Sequence, residues 1–214
     1  MNLILRNLVP HPFKDTILPN SSDIWMRDLF LRKGEHILIQ APSGTGKTTL
    51  MHMLYGLRKD FAGELLWGDY AFQDIQPAQL ASLRASYISI VFQDIRLFPE
   101  LTAWENIEIK RFLTNTMPTE RVEDMLARLS IFHKKDSIVS KLSQGEKQRV
   151  AIIKALVQPF DWLLMDEPFS HLDSQNKEKA AALVSEIVSH YKAGILLADL
   201  DKNQYFRYHK ILYL

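Results

Sequence analysis

Glu35-His-Ile-Leu-Ile-Gln40 runs directly into Ala41-Pro-Ser-Gly-Thr-Gly-Lys-Thr-Thr-Leu50. The first six residues form a short apolar run bounded by Gly34 and Pro42, which predicts a buried strand. The next stretch holds two glycines, ends in Lys-Thr and opens a helix-prone segment with Leu50, Met51, Met53, Leu54 and Leu57. Strand, glycine loop and helix in that order are the context of a phosphate-binding P-loop. Gly44 and Gly46 let the backbone curl and aim successive N–H groups at phosphate oxygens, and the helix N-terminus adds partial positive charge. Ser43, Thr45 and Thr49 complete the expected cradle. Lys47 would reach the outer phosphates, and Thr48 would place its hydroxyl on Mg²⁺. The bland alternative is a strand-to-helix turn that merely contains glycines. The intact Gly-Lys-Thr ending argues against it.

Outward from this stretch, the 214 residues suit one α/β domain with a small subdomain. Apolar residues make up 47% and charged residues 24%, which predicts a globular chain. The net charge of +1 offers no electrostatic case for nucleic acid. With no cysteine, disulfides, thiolate metal sites and cysteine nucleophiles are excluded. The lack of cysteine is compatible with the cytosol; no apolar run reaches the length of a membrane span and Met1–Arg6 shows no signal-peptide pattern, so at a membrane a partner would have to hold the chain.

Before the P-loop, residues 2–8 read as a strand. Pro19 and the Asn20-Ser21-Ser22 cluster read as a loop, and Ile24 to Leu31 as a second strand. After it come a strand over Phe61–Asp69 with a turn at Gly68-Asp69, a helix over Gln76–Ala85 and a strand over Tyr87–Phe92. Thr102-Ala-Trp-Glu105 is a capping box that opens a helix, and Val122, Met125, Leu126 and Leu129 mark another. Residues 95–140 therefore read as a helical insertion into a core formed by 1–94 and 141–214. Ser143-Gln-Gly-Glu146 is a second capping box, opening a helix that runs to Gln158 before Pro159. Asp161–Asp166 reads as a strand, and Asp173 as the cap of a helix to Tyr191. Gly194–Ala198 reads as the next buried strand, and His209–Leu214 as an edge strand. The predicted fold is α/β: a P-loop NTPase core with a mixed central sheet, an antiparallel part near the N-terminus and a helical insertion. The phosphate loop is expected at the carboxyl ends of the strands.

Downstream of a P-loop, Asp166 is placed to hold Mg²⁺ and Glu167 to polarise an attacking water. Gln93, after the strand ending at Phe92, could ligate Mg²⁺ or orient that water. Read alone, these are an acidic turn and an ordinary loop glutamine. Likewise Ser143 and Gly145 are either an anion site at a helix N-terminus or simply part of a well-capped helix.

Together the motifs resemble the ATP-binding cassette (ABC) ATPase family over nearly the whole chain. Ala41–Thr49 resembles its Walker A and Val91-Phe-Gln-Asp94 its Q-loop. Leu142-Ser-Gln-Gly-Glu-Lys-Gln-Arg149 resembles its signature, Leu163–Pro168 its Walker B and Ser170–Asp173 its D-loop. Leu97 to Ile107 is similar in wording to the subgroup of lipoprotein-releasing, macrolide-exporting and cell-division ATPases. The resemblance implies ATP and Mg²⁺ as ligands. It also implies a second cassette as partner, identical or not, whose Ser143 and Gly145 would contact the γ-phosphate held by Lys47. An integral membrane permease is implied as well, with the chain peripheral on the cytoplasmic face. Phe13 is the implied adenine-stacking residue by position, with Trp25, His11 or a plain core aromatic as alternatives.

Three positions depart from the family pattern. Ala41 replaces the first P-loop glycine and fits if its φ is negative. The signature reads Ser-Gln-Gly-Glu instead of Ser-Gly-Gly-Gln. Asp199, followed by Leu200 and Asp201, stands where a γ-phosphate-contacting histidine is usual, and a carboxylate there would repel phosphate. Slow hydrolysis, or dependence on a second, complete cassette, is expected. Two other readings stand beside an ATPase that drives a permease. One is a non-transport ATP-gated clamp, and the other is a degenerate cassette that binds ATP with little turnover.

Overall fold

The structure is a computed structural model that describes residues 1–14, 21–114, 116–200 and 204–214. Pro19, Asn20 and Asp201, read above from sequence, lie outside the described residues.

Two sheets carry the molecule. The strands β1 (Leu3–Pro10), β2 (Leu29–Leu31), β4 (Phe61–Trp67) and β5 (Tyr70–Ala71) pair antiparallel in the order β2-β1-β4-β5. The strands β3 (His36–Gln40), β6 (Ile88–Val91), β7 (Trp162–Asp166), β8 (Gly194–Asp199) and β9 (Lys210–Tyr213) form a sheet in the order β6-β7-β8-β3-β9, with every pairing parallel. The mixture expected from sequence is thus divided between two sheets, and β9 is the edge strand.

The parallel strands read as unbroken apolar runs because both faces are covered. Leu163 and Met165 of β7 point into one core, and Trp162 and Leu164 into the other. The second core is closed by α1 (Lys47–Leu54), by Leu83 of α2 (Pro77–Ser86) and by the antiparallel sheet. The first is closed by α5 (Gln144–Leu156) and α6 (Ser174–Tyr191), and it continues into the block with α3 (Ala103–Arg111) and α4 (Thr119–Arg128). Ile107, Val122 and Met125 from that block share this core with Leu163.

Both capping boxes form. Thr102 accepts from the Glu105 amide at 3.1 Å, and Ser143 from the Glu146 amide at 3.3 Å. Each glutamate returns to the amide of its cap, at 2.8 Å and 2.7 Å. Among the described residues no helix is long and apolar enough to cross a membrane.

Two expectations need correction. Ile24 to Leu31 is not one strand, since only Leu29–Leu31 pairs with β1. Ser22 Oγ accepts from the amides of Ile24 and Trp25, both at 3.0 Å, and Met26 takes φ +57°. These bonds bend the chain, and Ile24 and Trp25 are buried through the turn. The helix after Ser143 ends at Leu156, before Gln158. Gln158 instead turns its amide to the carbonyls of Arg84 and Ile88.

Candidate active site

Parallel order puts the ends of β3, β6, β7 and β8 along one edge of the sheet, and the expected site residues follow those ends. The turn after β3 needs its glycines. Gly44 has φ +84° and Gly46 φ +106°, and a Cβ on Gly46 would stand 2.7 Å from the Phe13 ring. Ala41 is buried and is not among the non-glycine residues with positive φ, so it fits here without backbone strain.

Lys47 is 4% exposed. Its ammonium donates to the carbonyls of Ala41 at 2.9 Å and Pro42 at 3.0 Å, and lies 3.3 Å from Glu167 Oε1. Thr48 donates its hydroxyl to Gln93 Oε1 at 3.0 Å, and Gln93 Nε2 donates to Glu167 Oε2 at 3.3 Å. A closed circuit therefore links the P-loop, the loop after β6 and the end of β7. Glu167 sits at φ +45° with its amide bonded to the Ala198 carbonyl at 2.9 Å, so backbone held in a costly region aims this carboxylate. Ile95, two residues beyond Gln93, is a β-branched residue at φ +45°, a second strained point beside the site.

Asp166 is 1% exposed, and its Oδ1 has no hydrogen-bond partner among the described residues. Burial pushes its carboxyl up to about 6; the Thr48 hydroxyl and Lys47 act the other way, and the Glu167 and Asp94 charges add to the rise. An orphaned buried carboxylate oxygen beside a threonine hydroxyl and a glutamine carbonyl is an all-oxygen set, which suits Mg²⁺. The residues present therefore fit the ion that the fold family implies.

Phe13, Ser43, Gly44, Gly46, Lys47, Thr48, Thr49, Gln93 and Glu167 line one open pocket of about 180 Å³. Of the other expected residues, Thr45 turns its hydroxyl to the Pro42 carbonyl at 2.8 Å, and Asp166 lies beneath the pocket. Phe13 is half-buried at the pocket wall, whereas Trp25 is core and His11 is exposed. Ser143 and Gly145 are not in this pocket. They begin α5, where Gly145 packs against the backbone of His171. One chain thus does not bring Ser143 to its own Lys47.

Asp199 ends β8 opposite Gln40, and its carbonyl accepts from the Ala41 amide at 3.2 Å. It is thus a neighbour of the P-loop. His209 is elsewhere: its Nδ1 accepts from the His36 amide, at the start of β3.

Sequence reasoning missed a contact behind Gln93. Arg96 lies 3.3 Å from His52 Nε2, pairs with Asp94 at 3.0 Å and covers the Phe92 ring at 4.2 Å. His52 stands one helical turn after Thr48, which is the spacing that would have placed it on the face toward this loop.

Residues 27–170 match the family model described as ABC transporter. The chain is 33% identical to the lipoprotein-releasing system ATP-binding protein LolD of Saccharophagus degradans, over 81% of this chain and 78% of that protein. It is 34% identical to LolD of Legionella pneumophila, over 87% and 84% respectively. Among solved structures it is similar to the dimeric bacterial ABC transporter cassette MJ0796, with TM-score 0.79 and 27% identity over 93% of this chain and 88% of that one. It is also similar to the same cassette in a post-hydrolysis dimer bound to ADP and phosphate, with TM-score 0.77. The P-loop, the acidic end of β7 and the capped start of α5 thus lie in a frame shared along nearly the whole chain, and the chain belongs to the ABC transporter family as an ATP-binding, ATP-hydrolysing cassette.

Proposed function

We propose that the chain is the nucleotide-binding subunit of a membrane transport complex, working as one half of a cassette dimer. The observation that carries this is the division of the site. Lys47, Thr48, Gln93 and Glu167 meet around one pocket, while Ser143 and Gly145 of the same chain do not line it. A second cassette would supply the missing face, exclude water and add fixed donors where phosphate charge develops.

The amides of Gly44 to Thr49 and the Ser43 side chain cradle the triphosphate, and Lys47 balances its outer charge. Phe13 offers the face on which adenine stacks. Thr48, Gln93 and Asp166 would hold Mg²⁺, which when bound neutralises charge building on the phosphates. Glu167 takes the proton of the attacking water, and Gln93 ties that carboxylate to the P-loop. Residues 95–140 would be the part that moves against the core and passes dimer closure to the partner.

The partner is an integral membrane permease, and the chain sits peripherally on the cytoplasmic face of the membrane. The names of the relatives make a lipoprotein-handling permease the first one to test. Equilibrium dialysis of the folded chain against ATP with magnesium tests the base of the reading: no affinity would bring it down. Co-purification with an integral membrane protein supports transport, and a chain absent from solubilised membranes supports the clamp instead. The carboxylate of Asp199 beside the start of the P-loop favours weak turnover.

A further inference from the structure

The loop after β6 is tied to α1 at two points. One is the bond from Thr48 to Gln93 inside the nucleotide site. The other joins Arg96 to His52, and no role in that site accounts for it. Arg96 Nη2 lies 3.3 Å from His52 Nε2. A guanidinium has no acceptor, so Nε2 must accept, which leaves a neutral ring with its proton on Nδ1. Burial, then the Arg96 charge, holds the His52 imidazole below its ordinary value; Asp94 acts the other way, and Arg58 adds to the fall. The surroundings therefore keep the ring as an acceptor.

Arg96 is held in place for this bond. Its Nε donates to both oxygens of Asp94, at 3.1 Å and 3.0 Å, and its guanidinium lies 4.2 Å from the centre of the Phe92 ring. The His52 and Tyr55 rings meet Phe92 edge-on, at 6.0 Å and 5.6 Å. Lys154 Nζ donates to the Arg96 carbonyl at 3.2 Å. Between the two ties sits Ile95 at φ +45°, a conformation that a β-branched residue keeps only when its surroundings impose it. The first tie is the one that loading the site puts in competition, because Thr48 and Gln93 are the residues proposed to turn their oxygens to Mg²⁺. The His52 tie uses no atom proposed to touch metal or phosphate.

We propose that His52 is a positioning residue for ATP hydrolysis: its Nε2 lone pair anchors Arg96 to α1 and so keeps Gln93 within reach of Thr48 and Glu167 as nucleotide enters and leaves. The inference rests on the reading that Gln93 works in the site. His52 acts through the loop and touches neither ATP nor the attacking water. α1 begins at Lys47, so a tie to its second turn registers the loop against the helix that carries the P-loop lysine and threonine. Loss of the acceptor would free Arg96, relieve Ile95 and let Gln93 sample positions from which it no longer meets Glu167. Binding of ATP, which draws on the P-loop amides and Lys47, would persist.

Two measurements on the full chain test this. Long-range proton–nitrogen NMR of the histidine-labelled, nucleotide-free chain reads the tautomer, with the His52 signals assigned by their absence from His52→Gln. The ring is expected to carry its proton on Nδ1 alone, and a proton on Nε2 overturns the proposal. Steady-state ATP hydrolysis reads the function. His52→Leu is expected to lower kcat about tenfold and to leave KM for ATP within about twofold, the pattern of a group that acts after binding. His52→Gln, whose carbonyl oxygen can stand where Nε2 stood, is expected to recover most of that loss, which distinguishes a lost acceptor from lost packing. Arg96→Met, with the same fall in kcat expected, serves if His52→Leu folds poorly. A wild-type kcat in His52→Leu overturns the proposal, as does a His52→Gln that behaves like His52→Leu. A loss from His52→Leu that is as large in a Gln93→Ala background as in the wild type overturns it too. Full turnover in Gln93→Ala alone would bring down the reading of Gln93 and this inference with it. A marked loss in Gln93→Ala beside an unaffected His52→Leu overturns this inference only.

Discussion

Lys47 and Glu167 face each other across the nucleotide pocket, with 3.3 Å between Nζ and Oε1. The cation proposed to hold phosphate and the carboxylate proposed to activate water are thus paired with each other. A triphosphate has to compete with Glu167 for Lys47, and as it wins it leaves the glutamate with Gln93 as its neighbour.

Removing that competitor has two effects in opposite directions. Glu167→Gln is expected to bind ATP more tightly, since Lys47 loses an anionic partner. It is also expected to lower turnover by about 100-fold or more, the usual loss when a general base is deleted. Phosphate release and equilibrium nucleotide binding measure the two effects. Turnover that stays at the wild-type rate would mean that another group activates the water.

Asp199 abuts the start of the P-loop through the Ala41 amide. Replacing its carboxylate with a hydrogen-bond donor removes repulsion of the phosphates. Asp199→His is expected to raise ATP turnover by roughly tenfold, equivalent to about 1.4 kcal/mol off the barrier. An unchanged rate would remove Asp199 from the account of slow hydrolysis.

Asp166 gives a pH-dependent stability. Its carboxyl is raised from 3.8 to about 6 by burial first of all. Between these values the folded chain binds more protons than the unfolded chain, so stability falls as pH rises across the window and stays lower above it. The loss should be on the order of 2–3 kcal/mol in the metal-chelated protein. Asp166→Asn should lack this component. Urea unfolding at about pH 4 and pH 7 with a chelator compares the two, and parallel curves would refute the assignment.

Ser143 and Thr102 cap their helices with the same hydrogen bonds, but only Ser143 is proposed to reach nucleotide, across a dimer. Ser143→Ala and Thr102→Ala should each cost about 1 kcal/mol of stability. Only Ser143→Ala should also lower turnover. Equal turnover in the two variants would reduce Ser143 to a cap.

What the sequence made legible was whatever short-range chemistry encodes. The P-loop, both capping boxes and the acidic end of β7 each occupy a few adjacent residues, and their spacing carries the physics. The segment from Ile24 to Leu31 misled because Ile24 and Trp25 are buried by a bend at Ser22, and burial alone does not distinguish a bend from a ladder. The pairing of Lys47 with Glu167 and of Thr48 with Gln93 was not legible, since each joins residues far apart in the chain whose meeting depends on strand order. The backbone of Glu167 at φ +45° had no sequence signal either, because glutamate is not a residue that announces such a conformation.

A Cβ built on Gly145 would lie 2.9 Å from the His171 carbonyl oxygen. The opening turn of α5 and the segment leading to α6 therefore approach main chain to main chain. That spacing, together with the Gln148 amide that donates to the Pro168 carbonyl at 2.7 Å across the same seam, sets the contour presented to a neighbouring molecule. Even a methyl group at position 145 would push the two segments apart.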